Sequence, residues 1–478
     1  MRLPSSLWGS LVAALFAGVA PGGASAAQLE GLAGRQVAGS PIAHVIVVIQ
    51  ENRTLDNLFG SSVLNGGKGY PGADTTQSAL LHDGSHAALV PIPFEVPYTP
   101  MHLHKYLDAE WNGGAMNGFD TDPAEVTQPG YTAPPRPALG YVPDFETTLY
   151  HALAYRYALA DRMFSSRLSP TFPGHQFLIA GQGPADDPIF PAPLPSQPPA
   201  NENIWGCDSA PGTTAAAFTV GENTVPGPVC FHYDTLATLL DRAGIPWKYY
   251  TGAIGTYDGS ISAYDAVQPI RDGPHWATNV VSPPATIDVD IAHCNLPPVS
   301  YVTPPETASD LSGTLGAGGP AWVATMYIAL SESLMQSDPK CRYYNNTAML
   351  LTWDDSGGWY DHVLPPRDAQ GNTWGMRVPL VVLSGWAQSN YVPGKAYLPY
   401  VSHTPREFGS IIRYIEKNFA LGSLGTRDAG ADDLSDMFDY SRDAPIPPVP
   451  NSVMNEGAKA ALGYGRQLPW TQGVVDKD

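Results

Sequence analysis

Two adjacent carboxylates, Asp354 and Asp355, follow an apolar run of β-type residues, Thr347–Trp353, and precede a Gly-Gly turn. Carboxylate oxygens are preferred ligands of hard divalent cations. Open α/β sheets place their sites where strands end at the carboxyl edge. The stretch therefore indicates metal or catalytic chemistry, although Asp and Gly also form ordinary polar turns.

A second set of polar residues follows the apolar run His44–Gln50, whose β-branched composition is typical of a strand buried on both faces. The run ends at Glu51 and Asn52, and a hard cation could take an oxygen from each side chain. The other interpretation is that Asn52 or Thr54 caps a short helix. Both roles can hold together.

A hydroxyl, Thr171, lies in the segment 169–174, between a predicted short strand and an apolar helical run. A hydroxyl at a strand-to-helix turn faces the positive end of the helix, where backbone amides can hold phosphoryl oxygens. This position suits a nucleophile that attacks phosphate. The alternative is that Thr171 or Ser169 only caps the helix.

Four histidines near these segments are candidates. His102 and His104 are two residues apart and point in different directions on a helix, which argues against both binding one metal. Either one of these two histidines is functional or it is an ordinary surface histidine, and both alternatives stay open. His362 follows Asp361 as an acid–base pair. His403 precedes a predicted capping box at 404–407, as a site residue or a capping-region residue.

The predicted elements alternate between strands and helices, which favours an α/β fold. We expect a single domain at 27–478, with an insertion-rich region at about 183–319 and mostly loop at 257–310. Strands are predicted at 44–50, 158–164, 245–250, 299–303, 347–353 and 377–384, and helices at 144–157, 234–243, 321–335 and 404–419, with a further apolar helical run after the segment 169–174.

Composition restricts the function classes. The 478 residues include 48 Gly and 48 Pro, which indicates a loop-rich protein. The formal net charge of −20 and the absence of a basic cluster argue against a nucleic-acid partner. At the N-terminus, Arg2, an apolar run at 7–20 and Ala24-Ser25-Ala26 predict a signal peptide over 1–26. We therefore expect a periplasmic or secreted protein without a transmembrane segment.

The four cysteines fit an oxidising compartment, and their spacing argues against a zinc ribbon. They allow three pairings. We favour Cys207–Cys230 together with Cys294–Cys341.

Six motifs then occur in order: ENRTLDNLFG at 51–60, WNGGAMNGF at 111–119, SPTFPGHQFLIAG at 169–181, TWDDSGGWYDHVLPP at 352–366, RVPLVVLS at 377–384 and SHTPREFGSIIRYIE at 402–416. Together they resemble the bacterial phosphoesterase family of phospholipases C and acid phosphatases, over residues 42–440. The resemblance implies an alkaline-phosphatase-like fold, a large, mostly parallel central sheet sandwiched by helices.

The resemblance also implies roles for particular residues. By motif, Thr171 matches the nucleophile and His102 a histidine that faces the phosphate. The implied metal ligands are Glu51, Asn52, Thr171, Asp354 and Asp355. The cofactor is a divalent metal ion (Ca, Mg, Mn or Zn), and an all-oxygen ligand set suits the first three better than Zn²⁺.

Three positions depart from the family pattern. Gly174-His175 stands where the family usually has Asn-Arg, Asn117 where it usually has Asp, and Leu311 where many members have His. A histidine at that last position is expected near the phosphate or the leaving group. The departures leave the substrate class open.

The sequence thus predicts a secreted, metal-dependent phosphoesterase with a phosphothreonine intermediate, of the acid phosphatase or phospholipase C type. His102 or His362 would stabilise the phosphate or protonate the leaving group. The substrate would be a small-molecule phosphate ester or a phospholipid. The sequence ends at Asp478, so we expect none of the extra C-terminal domains often seen in larger phospholipases, which favours a compact phosphatase or a general phosphoesterase. The competing hypothesis is a non-catalytic secreted binding protein on a decayed phosphoesterase scaffold.

Overall fold

The computed structural model describes residues 39–61, 70–189, 205–219, 223–254, 261–314, 318–392 and 399–454. The predicted signal peptide lies outside these residues. Within them, no helix combines the length and the apolar character needed to cross a bilayer.

An eight-stranded sheet forms the centre of the molecule. Its strands, in chain order, are β1 His44–Gln50, β2 Ala158–Ala160, β3 Trp247–Tyr250, β4 Val280–Val281, β5 Val299–Val302, β6 Thr347–Trp353, β7 Leu380–Leu383 and β8 Tyr400–Ser402. Their order across the sheet is β4-β3-β5-β1-β6-β7-β2-β8. Only β7 runs antiparallel to its neighbours, which confirms the expected mostly parallel sheet.

The register of the two central strands positions the site. Strands β1 and β6 are parallel, with His44 opposite Thr347 and Gln50 opposite Trp353. Every residue of both strands is buried, because layers of the protein cover both faces of the sheet. Since the two strands end level with each other, the residues that follow them emerge together at one edge.

The helices are α1 Leu55–Phe59, α2 His104–Trp111, α3 Thr148–Arg156, α4 Thr171–Ala180, α5 Leu236–Ala243, α6 Gln268–Arg271, α7 Trp276–Asn279, α8 Thr286–Ala292, α9 Gly319–Glu332 and α10 Gly409–Asn418. Tyr301 donates to Leu178 O of α4, whereas Trp353 packs on Tyr150 of α3. Their positions in the register place Tyr301 and Trp353 on opposite faces. Helices α3 and α4 therefore cover opposite faces of the sheet.

One local prediction is incomplete and another is wrong. The segment 257–310 contains the predicted strand at 299–303 as β5, together with α6, α7, α8 and β4, which the sequence did not indicate. The capping box at 404–407 does not begin a helix, and α10 begins at Gly409. The side chains of that box have partners elsewhere: Arg406 pairs with Asp432 and Asp436, and Glu407 Oε2 accepts from Ser166 at 2.5 Å. Tertiary ion pairing therefore overrides the local capping signal.

Both favoured disulfides are present. Cys207 is bonded to Cys230, and Cys294 to Cys341. The first bridge lies in the insertion-rich region, close to a small three-stranded sheet of Pro188–Ile189, Thr214–Phe218 and Thr224–Gly227. The second ties the segment after α8 to the segment before β6.

Candidate metal and catalytic site

Residues predicted from three separate segments meet at the carboxyl edge of the sheet. Glu51 and Asn52 follow β1, Asp354 and Asp355 follow β6, and Thr171 is the first residue of α4. None of the five is more than 6% exposed. The backbone N–H of Asn52 donates to Asp354 Oδ1 at 2.9 Å, so the ends of β1 and β6 are joined directly.

Asn52 places a polar amide among the carboxylates. Its φ of 61° is left-handed, a conformation that Asn tolerates better than most residues. One terminal atom of its side-chain amide, either the oxygen or the nitrogen, lies 3.0 Å from Asp355 Oδ2, 3.2 Å from Asp354 Oδ1 and 3.1 Å from Thr171 Oγ1. An amide nitrogen there donates to the carboxylates, whereas an amide oxygen there is favourable only beside a cation.

Thr171 does not cap α4. The N-cap position is Pro170, and the helix has no side-chain capping hydrogen bond. Instead, Thr171 Oγ1 lies within donating distance of Asn52 Oδ1, at 3.1 Å, and of Asp355 Oδ2, at 3.2 Å. For Asn52 and Thr54, the capping role belongs to Thr54, which accepts from Asn57 N at the start of α1. Both Thr171 and Asn52 therefore direct their side chains to the site.

The first-turn amides of α4 are less available to an anion than the sequence suggests. Phe172 N donates to Asp187 Oδ1 at 2.9 Å, and Gly174 N donates to Pro170 O. Pro173, between them, has no N–H. Residues 172–174 therefore offer no free amide to phosphoryl oxygens at this edge.

The Gly-Gly turn after the acidic pair is a structural requirement. Gly357 N donates to Asp355 Oδ1 at 2.6 Å, which fixes the orientation of that carboxylate. Its φ is +61°, and a Cβ at this position would lie 2.3 Å from Asn52 O. Glycine therefore lets the turn close over the end of β1.

One residue of the site, His175, was not predicted as a ligand. It lies four residues after Thr171 on α4, so the two side chains share a helix face. His175 Nε2 lies 3.5 Å from Glu51 Oε1 and 3.7 Å from Asp354 Oδ2. The signal available in the sequence was this i, i+4 spacing, at a position that departs from the family pattern.

Burial disfavours the ionised forms of the carboxylates in this cluster. It raises the pKa of Glu51 to about 8, assisted by repulsion from Asp187 and Asp310. Burial followed by repulsion from neighbouring carboxylates also raises the pKa values of Asp354 and Asp355 well above their usual range. Adjacent buried carboxylates do not all ionise unless a positive charge compensates them. The electrostatics therefore suit a cation at this edge.

The donor atoms themselves fit a divalent metal. Glu51 Oε1, Asp354 Oδ2 and His175 Nε2 have no hydrogen-bond partner among the described residues, although all three atoms are buried. Each of these three residues offers one ligand atom, and the three atoms lie within 4.8 Å of one another. Unpaired buried polar atoms are rare, and a shared metal ion explains three at one point.

The two histidines at the start of α2, His102 and His104, have different environments. His102 lies at the site: its Nδ1 is 2.9 Å from Pro100 O and its Nε2 is 3.4 Å from Asn52 Nδ2. His104 is directed elsewhere, with Nδ1 2.6 Å from Leu168 O. The two therefore do not act as a pair, in line with their spacing. His403 is largely exposed and pairs with Asp161 Oδ2 at 2.6 Å.

His362 belongs to a second cluster. Its Nδ1 lies 2.7 Å from Asp56 Oδ2. Arg377 pairs with Asp56 at 3.1 Å and with Asp361 at 2.7 Å. A guanidinium thus already supplies the cation for these two carboxylates. No contact recorded for the described residues joins His362 to Thr171.

The two remaining departures from the family pattern are Leu311 and Asn117. Asp310, before Leu311, accepts from Tyr150 Oη and Trp353 Nε1, each at 2.9 Å, and so braces the end of β6. Asn117 Oδ1 accepts from Asn112 Nδ2 at 2.8 Å in an exposed turn.

Comparison with known proteins places this chain in a family. The model of the Phosphoesterase family matches residues 42–422. The chain belongs to the Phosphoesterase family. Among its relatives, a non-hemolytic phospholipase C of Pseudomonas aeruginosa is 23% identical, and the match covers 88% of this chain and 60% of that protein. Phospholipase C A of Mycobacterium tuberculosis is 22% identical, over 90% of this chain and 82% of that protein.

The chain matches only part of the length of some of these relatives. It spans 60% of the non-hemolytic and 65% of the hemolytic phospholipase C of Pseudomonas aeruginosa. Among solved structures, a protein in the alkaline phosphatase superfamily from Vibrio parahaemolyticus matches 66% of this chain and 80% of that one, at 11% identity and a TM-score of 0.31.

Proposed function

We propose that this phosphoesterase-family chain is a secreted, metal-dependent hydrolase of phosphate esters, with Thr171 as its nucleophile. The observation that carries the proposal is the position of Thr171 Oγ1, 3.2 Å from Asp355 Oδ2 at the start of α4, beside the unpaired buried atoms of Glu51 and Asp354. A nucleophilic hydroxyl needs such a neighbouring activating group. The predicted signal peptide and the two disulfides support secretion.

The carboxylates and the Asn52 amide would hold the metal, as the resemblance implies. A bound divalent ion lowers the pKa of an attacking hydroxyl and neutralises phosphate charge. Asp355 orients the Thr171 hydroxyl through their hydrogen bond, and Gly357 N holds Asp355 in place. Attack forms the bond from Thr171 Oγ1 to phosphorus, and the bond to the leaving oxygen breaks. Water then hydrolyses the phosphothreonine.

His102 is the better-placed of the two candidate histidines. Pro100 O lies within hydrogen-bond distance of its Nδ1, which leaves Nε2 directed at Asn52 and the site. It can donate a hydrogen bond to the phosphate or a proton to the leaving oxygen when doubly protonated. His362 remains the second candidate for the proton donor, although Asp56 holds its Nδ1.

The substrate is a small phosphate ester or a phospholipid. The names of the relatives favour a phospholipase C acting on a lipid diester, whereas a monoester would define an acid phosphatase. The competing hypothesis of a non-catalytic binding protein draws on the departures at Asn117, Gly174 and Leu311. The convergence of the five predicted residues on one point opposes it.

The test combines two chromogenic substrates with metal analysis. Purified protein is assayed on para-nitrophenyl phosphate and on para-nitrophenyl phosphocholine, before and after chelation. Thr171→Ala is expected to lower kcat by roughly 10³-fold or more, and Thr171→Ser to retain part of the activity. Mass spectrometry of the acid-quenched wild type should find a covalent adduct on Thr171, which is phosphate from the monoester or phosphocholine from the diester.

Thr235→Ala is the matched control. It removes a buried hydroxyl that caps α5 and should cost about 1 kcal/mol of stability without loss of activity. Full turnover by Thr171→Ala would exclude the nucleophile assignment. A wild type that binds no metal and hydrolyses neither ester would support the binding-protein hypothesis instead.

A further inference from the structure

His175 is a buried imidazole surrounded by carboxylates. It is 1% exposed, and neither ring nitrogen has a hydrogen-bond partner in the part of the chain that the structure describes. We propose that His175 Nε2 is a metal ligand, and that it makes the site selective for Zn²⁺ over Ca²⁺ and Mg²⁺. This inference rests on the proposed metal-dependent function, and it changes the expected ligand set from oxygen alone to oxygen plus nitrogen.

The interatomic distances fit shared coordination better than hydrogen bonding. His175 Nε2 lies 3.5 Å from Glu51 Oε1 and 3.7 Å from Asp354 Oδ2. Both distances exceed the roughly 2.7–3.2 Å of a hydrogen bond. Ligands bound to one Zn²⁺ at about 2.0–2.2 Å lie roughly 3–3.6 Å apart. Both distances from the His175 nitrogen thus lie close to the separation that two ligands of one ion have.

A second interpretation is that a protonated His175 compensates the carboxylates, as an arginine would. The cluster around Arg377 shows how this chain builds such a compensation: the guanidinium lies 2.7 Å from Asp361 and 3.1 Å from Asp56. His175 makes no contact that short with Glu51 or Asp354, and its Nδ1 lacks a partner among the described residues. Its geometry is that of a ligand around an ion.

The preceding residue makes this position accessible. A Cβ at Gly174 would lie 2.5 Å from Asp354 O. Glycine therefore lets the first turn of α4 approach the end of β6 closely, and the next residue brings its imidazole to the carboxylates. The two adjacent departures, Gly174 and His175, thus act together: one gives the space, and the other gives the nitrogen ligand.

A nitrogen ligand changes metal preference. Imidazole suits Zn²⁺ and other late first-row ions, whereas Ca²⁺ and Mg²⁺ take oxygen ligands almost exclusively. Zinc sites combine imidazole nitrogen with carboxylate oxygen, so His175 together with the carboxylates would suit that ion. The site should therefore retain Zn²⁺ or Co²⁺ in the presence of excess Ca²⁺.

The test measures metal binding, independently of activity. Chelator-stripped full-length protein is titrated with Zn²⁺ in competition with a chromophoric chelator, and with Co²⁺ while its visible absorption is recorded. His175→Gln is expected to weaken Zn²⁺ binding by more than the roughly 10- to 100-fold that loss of an outer-shell partner costs, and to shift the Co²⁺ bands. Ca²⁺ affinity should change less, so the Zn²⁺/Ca²⁺ affinity ratio should fall.

His151→Gln is the matched control, because His151 is equally buried but hydrogen-bonds Leu58 O. It should leave both metal affinities unchanged. X-ray absorption of the Zn²⁺-loaded wild type gives a second measurement if His175→Gln fails to fold, and it should show one imidazole per zinc. An imidazole-free spectrum, or Zn²⁺ affinity and Co²⁺ bands unaltered in His175→Gln, would overturn the inference.

The failure of the inference and the failure of the proposed function are distinguishable. Asp354→Asn should lose all metal binding even if His175 is not a ligand, because both hypotheses use that carboxylate. A wild type that binds none of the three ions, and hydrolyses esters unaffected by chelation, would overturn the metal-dependent function and with it this inference.

Discussion

Replacing Gly174 by Ala tests the close approach on which the site depends. The added Cβ would lie 2.5 Å from Asp354 O, 3.1 Å from the adjoining carbonyl carbon and 3.3 Å from Asp354 Cβ. Ordinary contacts of this kind begin at 3.4 Å. Because the nearest atom is backbone, the first turn of α4 or the end of β6 must move apart by about 0.9 Å.

That movement separates the two halves of the site. Thr171 and His175 lie on either side of Gly174 on the same helix, whereas Asp354 and Asp355 follow β6. A shift of about 0.9 Å would stretch the 3.2 Å contact from Thr171 Oγ1 to Asp355 Oδ2 beyond hydrogen-bond length. Misplacement by about 1 Å can cost roughly 10²-fold in rate. Overpacking should also cost about 1–3 kcal/mol of stability.

The assay measures kcat on the better of the two chromogenic esters, Zn²⁺ affinity by chelator competition, and stability by urea denaturation. Gly430→Ala is the matched control, because a Cβ there meets nothing within 4 Å and its φ is not in the left-handed range. It should change none of the three quantities. Wild-type kcat and Zn²⁺ affinity in Gly174→Ala, with no loss of stability, would refute the argument that this glycine sets the distance between α4 and β6.

Two further predictions concern stability rather than chemistry. Burial lowers the pKa of His44 to about 4 from 6.5, so the unfolded chain binds more protons between these values and stability falls as pH decreases through that window. The loss attributable to His44 should be about 1 kcal/mol between pH 7 and 5.5, and His44→Phe should flatten the pH dependence of the urea midpoint; an equal slope in both proteins would contradict this. Arg377→Met should cost about 3–5 kcal/mol, because Asp56 and Asp361 would remain buried without their cation. Urea denaturation of this variant, with Arg413→Met as the partly exposed control, measures the difference, and a loss equal to the control's would exclude the ion-pair role.

Strands β1 and β6 were predictable to the residue, because their continuous apolar runs carry the pattern of strands buried on both faces. Their parallel pairing also follows from the α/β class. The meeting of Glu51 with Asp354 at one edge was therefore within reach of the sequence. The antiparallel direction of β7 was not, since neither composition nor length distinguishes it from its neighbours.

What sequence reasoning missed was decided by partners distant in the chain. The capping box at 404–407 has the right residue types. Its arginine, Arg406, instead forms ion pairs with Asp432 and Asp436, which lie about thirty positions further along the chain. His175 looked like a loss from the family pattern because its contacts with Glu51 and Asp354 arise only when three elements meet. Local patterns describe a segment's preference, and tertiary contacts decide which side chains are used.

The two clusters of this edge make the same point about metal sites. Each combines two carboxylates and one histidine whose ligand atoms can lie within 4.8 Å of one another, so residue type and proximity do not separate them. The difference lies in whether a positively charged side chain also belongs to the cluster. Arg377 satisfies the carboxylates beside His362, whereas no side chain among the described residues hydrogen-bonds Glu51 Oε1 or Asp354 Oδ2, and His175 Nε2 lies 3.5 Å or more from both. A buried charge must be compensated, and a cluster whose own chain supplies no cation is the one expected to take its cation from solution.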